Sequence, residues 1–503
     1  MNIRELQHNV NLLYQTGGQA AMESVLAAWY LNQASAASSQ RSLDDAIHKA
    51  HTLDPENTFY WLAARHRSRN DFDGATQYYL KAFSANPSRR SCWPMIGEYL
   101  LRYGSSEMVV DFYSRVLSMD GGNDFARFVL QCHNYFESLQ QEIGTRIHLA
   151  DHQRSGSKKL LAQVVFWGAR YTDIFLNYLL PALFAPGNLP AICQDYQIHF
   201  IICTDAQGAD RLQWDVGFAK LKNYLVPHVI TYSPVLFDYA ADFSRKHGGK
   251  WTIPVTLLTN AAHYAVLECG RRLERPVLNF SPDHILSERF LTEMAAALSD
   301  KVQVLAGPGF RLYYAPHLLE EINARYRKPS GTLDISPPEM VRLLINHLPE
   351  PNFVHAEQFS AYPIYLCWQV KGEGIIAHVN HYHPWVVRGD GLAGPVQLSL
   401  DPIDGNFLNR CLANQQAIAF APQAMLSFDL GTNPLCLPAD NNRFSVRKVA
   451  QWVRPFLSPV HEHYFQNSLF YRSGTPEPSR DWRRTADQAS TVVKEIIAHA
   501  KNV

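Results

Sequence analysis

Two stretches of this chain, Phe72–Pro87 and Ser106–Gly121, repeat one another at a spacing of 34 positions. Ala75 falls on Val109, Tyr79 on Tyr113 and Ala82 on Val116. Steps of four and seven residues return to the same side of a helix, so each stretch reads as a helix with one packing stripe. An earlier copy closes at Ala50 and Asp54-Pro55, as the next closes at Ala82 and Asn86-Pro87. Proline cannot continue a helix interior, which fixes the end of these units. Small residues at Ala75 and Ala82 let a neighbouring helix approach closely. A repeat of this length predicts helical hairpins stacked side by side.

The unit Glu56–Pro87 resembles a tetratricopeptide repeat in its length and in its Ala, Tyr, Ala, Pro order, with degenerate copies on either side. The resemblance implies a tetratricopeptide-like (TPR-like) helical domain over 1–135. Such a domain offers a surface to a protein partner or acceptor and carries no chemistry.

A helical linker is expected over 136–159. Its last part, Asp151–Lys159, is polar and holds Gly156 and two serines. From 160 to 440 the period changes. Short apolar runs at Leu161–Phe166, Ile198–Thr204, His228–Tyr232, Arg275–Phe280 and Val302–Ala306 alternate with helical stretches such as Pro254–Leu273. That alternation predicts a mixed, mostly parallel sheet flanked by helices. The strand at Ile375 and the run Ala417–Ala421 are expected to complete this sheet, in antiparallel orientation. Residues 441–503 read as a helical C-terminal extension. The fold class is α plus α/β: helical repeats first, then an α/β domain.

Charge excludes some partners. There are 46 basic and 46 acidic residues, so nothing draws the chain in bulk to nucleic acid or anionic lipid. The eight cysteines are scattered and form no C-x-x-C, which argues against a thiolate zinc site or a disulfide framework. No apolar run approaches the roughly 20 residues that cross a bilayer, and the opening residues show no signal-peptide pattern. A cytoplasmic location is expected.

The chain's sharpest chemical signal is His378-Val-Asn-His381-Tyr-His383, followed by Pro384 and Trp385. Apolar residues 374–377 read as a buried strand that delivers these imidazoles to a sheet rim. Strand alternation would project His381 and His383 together and turn His378 away. Pro384 argues that the strand ends there or lies at an edge. Imidazole is a frequent metal ligand and acid–base group.

Residues 160–440 also resemble nucleotide-sugar glycosyltransferases of the GT-A type, in the order of their parts rather than in long identity. In that family a first strand leads into a nucleotide-binding loop, and here Trp167, Gly168, Arg170 and Tyr171 occupy that place. Glycine would let a ligand approach the backbone, and Trp167 or Tyr171 would stack on a base. The family's acidic metal motif would fall at Ser281-Pro-Asp283-His284, after an apolar strand and before a helix expected from about Ser287. Ser281 stands where the first aspartate would be, which leaves Asp283 as the lone carboxylate; alternatively Asp283 sits in a helix N-cap region. The resemblance implies a nucleotide-sugar donor and manganese or magnesium at Asp283, helped by His381 or His383. Asp401, Asp404 and Glu357 are candidate bases for the acceptor hydroxyl, with Asp404-Gly405 also readable as a tight turn. Arg388 and Arg311 are candidates to offset phosphate charge. His461 and His463, two apart, suit a loop or strand. The implied activity is sugar transfer to an acceptor. The alternatives are a non-catalytic scaffold, favoured by the missing aspartate, and a metal-dependent hydrolase using His378–His383.

Overall fold

The computed structural model describes residues 18–502 apart from 70, 152–157, 248–251, 300, 314–315, 381, 404–417, 432–442, 455–456 and 475–476. The chain forms two compact units: residues 1–133 with 397–400, and residues 134–396 with 401–503.

In the first unit the sequence repeat becomes a structural repeat. Helices Phe72–Ala85 and Ser106–Met119 are each 14 residues long and occupy matching positions of the repeat. Ala75, Tyr79 and Ala82 are buried in one, and Val109, Tyr113 and Val116 in the other. Helices Gln40–Leu53, Phe72–Ala85 and Ser106–Met119 end in the same way. Asp54, Asn86 and Asp120 share φ values of −147, −146 and −141°, and each donates its N–H to the carbonyl four residues back. Pro55 then opens the next helix, Pro55–Ser68, at its first position, where no N–H is required. Helix Trp93–Tyr103 places Gly97 so close to the Tyr113 hydroxyl that a Cβ would overlap it. Residues 397–400 belong to this unit: Gln397 Oε1 accepts from Ser106 N at 3.0 Å, and Leu400 N donates to Leu101 O at 2.9 Å. Helix Asp124–Ala150 runs through position 135, where the sequence placed a boundary.

The second unit is built on a seven-stranded sheet. Its strands are β1 (Lys158–Val165), β2 (Tyr196–Thr204), β3 (Val226–Thr231), β4 (Val277–Phe280), β6 (Val304–Pro308), β10 (Tyr382–Val387) and β11 (Ile418–Phe420), in the order β11-β6-β10-β4-β1-β2-β3. β1 pairs in parallel with both β2 and β4, β2 with β3, and β6 with β11. The nine residues of β2 and the last six of β1 are buried, as expected of strands covered on both faces. β10 alone runs antiparallel, between β4 and β6.

Two small sheets complete the unit. One has the order β5-β12-β7, from β5 (His284–Leu286), β12 (Ser427–Gly431) and β7 (Phe310–Tyr313). The other has the order β13-β9-β8, from β13 (Leu469–Arg472), β9 (Gly374–Val379) and β8 (Tyr365–Val370). Helix Arg480–Asn502 buries Trp482, Ala489, Val493, Ile496 and Ile497. Val493, Ile496 and Ile497 share a core cluster with Leu366 of β8 and Val449, Ala450 and Val453 of helix Val446–Val453.

Several expectations are corrected here. The strand at Ile375 is β9, which pairs with β8 and β13 and is no part of the main sheet. β10 takes that place instead. Pro384 is neither a strand end nor an edge residue: it lies inside β10 at a bulge, where the register with β6 slips between Pro384 and Val386. A bulge tolerates proline because its missing N–H breaks no regular ladder bond. β11 is parallel, not antiparallel, to its neighbour. The loop after β4 leads into strand β5, and the helix begins only at Phe290, so Asp283 is not a helix cap. His461 and His463 lie in helix Pro459–Gln466 rather than in a loop or strand.

Candidate active site

Sheet topology selects the place. β1 leads outward to β2 and β3, whereas β4 pairs on the other side of β1. The chain therefore leaves the carboxyl ends of β1 and β4 in opposite directions, and a crevice at such a switch point is where ligands of open α/β sheets sit. Val164 pairs with Phe280, so Trp167-Gly168 and Ser281–Asp283 leave neighbouring strands at the same end. β10 runs the other way and begins there with Tyr382 and His383, opposite Pro308 and Gly307.

On the β1 side, Gly168 has φ +77° and open space where a Cβ would be. Its N–H donates to Asp205 Oδ2 at 3.2 Å, while Asp205 Oδ1 caps helix Ala206–Trp214 through Gly208 N at 2.9 Å. Asp205 thus ties the loop after β1 to the loop after β2. Half-buried Trp167 stands edge-on to Tyr232 and Phe237, with ring centres 5.9 and 6.2 Å away. Arg170 is exposed on the first turn of helix Gly168–Ile174, and Tyr171 packs partly against the core.

On the β4 side the small sheet assembles a charged row. In register, His284 of β5 faces Asp429 of β12, which faces Arg311 of β7. His284 Nε2 lies 2.8 Å from Asp429 Oδ1, and Arg311 Nε 3.5 Å from Asp429 Oδ2. Ser281 N–H donates to His284 Nδ1 at 2.9 Å, so Nε2 is the ring nitrogen that carries its hydrogen toward Asp429. The Ser281 hydroxyl donates to Asp283 Oδ1. The His383 ring stands 4.9 Å from His284, with Trp385 against both rings.

This row separates two carboxyl groups electrostatically. Burial, then the charge of Asp429, pushes Asp283 up to about 6. Burial alone would also raise Asp429, but His284, Arg311 and His383 outweigh it and hold Asp429 below its usual value. Neighbouring carboxyl groups with values driven apart divide the acid and base roles between them.

The candidates named from the sequence meet different fates. Asp283 and His383 reach the same rim, Asp283 from the loop after β4 and His383 from the start of β10. His381 and Asp404 lie outside the described residues. His378 is buried in β9 and satisfied on both ring nitrogens, by Phe465 O at 2.8 Å and the Ser468 hydroxyl at 3.0 Å. It is a packing residue, so the histidine run does not act as one cluster. Arg388 follows Val387, which pairs with Val277 at the start of β4. It therefore sits at the end of the sheet opposite Asp283 and His383, bound to Asp390 and to Ser299 O. The Asp401 carbonyl accepts from Asn260 at 3.1 Å and from Tyr264, which fixes that residue against helix Ile253–Arg272. Glu357 is exposed in the loop before β8.

The expected metal set is not assembled by what is described. His383 Nε2 lies 3.1 Å from the Asn279 carbonyl and is spent as a donor. Among the described residues no three His, Cys, Asp or Glu are grouped to hold an ion. Asp429 carries no local sequence signal, because it stands alone in an apolar strand 146 positions after Asp283.

No protein-family model and no curated protein matches the chain. Among solved structures it is similar to a mutant of the Thermobaculum terrenum O-GlcNAc transferase, at 13% identity over 48% of this chain and 49% of that one, with a TM-score of 0.17. The match spans about half of that chain and, at this TM-score, fixes no residue correspondence. No helix among the described residues is long and apolar enough to cross a membrane.

Proposed function

We propose that the second unit transfers a sugar from a nucleotide diphosphate donor to an acceptor hydroxyl at the rim formed by β1, β4 and β10. The observation that carries this reading is the place of Asp283, on the loop after β4 at the switch point of the sheet and beside the row His284, Asp429 and Arg311; burial and the charge of Asp429 push its carboxyl up to about 6. A base near the working pH can remove a hydroxyl proton as the new bond forms. Asp429 keeps Asp283 in that range and is itself kept ionised by His284 and Arg311. Arg311 is also half-exposed beside the pair and would offset the charge of a diphosphate. Open backbone at Gly168 and the Trp167 ring would receive the nucleoside. The helical repeats would hold the acceptor or an assembly partner.

Calorimetry with UDP-, GDP- and CMP-sugars tests the donor. One of them should bind, and Asp283→Asn should retain most of that binding while losing turnover. Failure of all three donors to bind, with or without manganese, would refute the reading and leave a scaffold.

A further inference from the structure

A row of buried amides crosses the middle of the main sheet, beneath the rim. Gln163 on β1 and Asn279 on β4 are register partners, and both are fully buried. Gln163 Nε2 donates to Asn279 Oδ1 at 2.6 Å, and Asn279 Nδ2 donates to Pro384 O on β10 at 2.6 Å. Burying two amides here is costly: Asn279 offsets it with bonds at both side-chain polar atoms, while Gln163 bonds through Nε2 and leaves its Oε1 without a partner among the described residues.

Their position explains the cost. β10 pairs regularly with β4 only at Val386 and Val387. Above that point the bulge pulls β10 out of register, and Pro384 has no N–H to offer. The Asn279 side chain replaces the lost ladder bond by taking the Pro384 carbonyl. The Asn279 main chain then takes the next residue, since its carbonyl accepts from His383 Nε2 at 3.1 Å. A single residue thus grips both the bulge and the imidazole that the bulge presents. Trp385, the bulged residue, fills the space over Gly307, where a Cβ would stand 3.0 Å from the indole nitrogen.

We propose that Asn279, braced by Gln163, is the positioning residue of the rim: it fixes the bulge of β10 and thereby the ring orientation and tautomer of His383. The inference rests on the proposed site for its purpose, but its geometry stands without any substrate. Asn279→Asp keeps the shape and the acceptor for Gln163 and removes the donor to Pro384. Gln163→Met leaves the His383 contact untouched and removes only the brace.

Histidine-selective nitrogen-15 NMR reads the outcome, with the His383 signal assigned by its loss in His383→Gln. In the unsubstituted protein His383 should show the Nε2–H tautomer. Asn279→Asp should move its ring-nitrogen shifts and change the pH at which they titrate, and Gln163→Met should do so to a smaller degree. The donor turnover of both variants should fall in kcat by tenfold or more, with KM little changed. His383 signals that match the unsubstituted protein in both variants would overturn the proposal, as would an Nδ1–H tautomer at the outset. If Asn279→Asp fails to fold, Gln163→Met alone decides it. Absence of any turnover in the unsubstituted protein would count against the sugar-transfer reading only, because the NMR result does not depend on it.

Discussion

Replacing Asp283 by asparagine should stabilise the protein at neutral pH. An aspartate in the unfolded chain titrates near 3.8, and Asp283 in the folded chain at about 6. The folded value is raised, so the neutral form is the one the fold favours. Its contribution is fully present below the unfolded value and is lost as the pH climbs from 3.8 through 6. A shift of about two units corresponds to roughly 3 kcal/mol at pH 7.5. Asp283 is only partly covered, and water screens some of this, so about 1.5 kcal/mol is the working figure. At about 2 cal/mol/K per residue for a unit of this size, the melting temperature should rise by roughly 2 °C. Asparagine cannot ionise and keeps an acceptor for the Ser281 hydroxyl. At pH 4.5 only about a third of the gain should remain, because Asp283 is then largely protonated in the folded state. Scanning calorimetry of both proteins at the two pH values measures this. An equal fall in melting temperature at both pH values would refute the reasoning and mark Asp283 as a structural residue.

Three further outcomes follow from other parts of the molecule. Burial, then His199 and Arg146, lowers His228 to about 4, so stability should fall as the pH drops from 6.5 to 4; His228→Gln should flatten that limb of a melting-temperature profile, by about 3 kcal/mol at most. Asp151 binds Arg275 at 2.5 Å, Lys159 at 3.0 Å and His199 at 3.0 Å, so Asp151→Asn should cost roughly 3 kcal/mol in urea unfolding, and a loss within error would show the cluster to be incidental. Gly97→Ala drives a Cβ into the Tyr113 hydroxyl and should cost about 1–3 kcal/mol by thermal unfolding, whereas an unchanged melt would show that the helices separate freely.

The architecture was legible where one pattern governs a whole element. The repeat positions Ala75, Tyr79 and Ala82 mark a packing face because a helix keeps its period. The runs at Leu161, Ile198 and Val277 mark strands because parallel strands are buried on both sides. The rim was only half legible. Asp283 was visible as a carboxylate after an apolar strand, and His383 as an imidazole at a strand tip. The single strand read through the histidine run is in fact two, because the chain changes sheets between Val379 of β9 and Tyr382 of β10, which separates His378 from His383. The same change carries Arg388 to the end of the sheet opposite Asp283. Asp429 and Arg311 join the row only through strand register between segments remote in sequence, which no local spacing encodes. Asn279 reads as one polar residue in a strand, and its role emerges only with a bulge in a strand some hundred positions later.

The central claim is that the nucleotide sugar binds where β1, β4 and β10 meet. A crystal soaked with a nucleoside diphosphate tests it most directly. The account predicts density over Gly168, with the diphosphate within hydrogen-bond reach of Arg311 and the sugar side facing Asp283 and His383. Density at the opposite end of the sheet, beside Arg388 and Asp390, would contradict it.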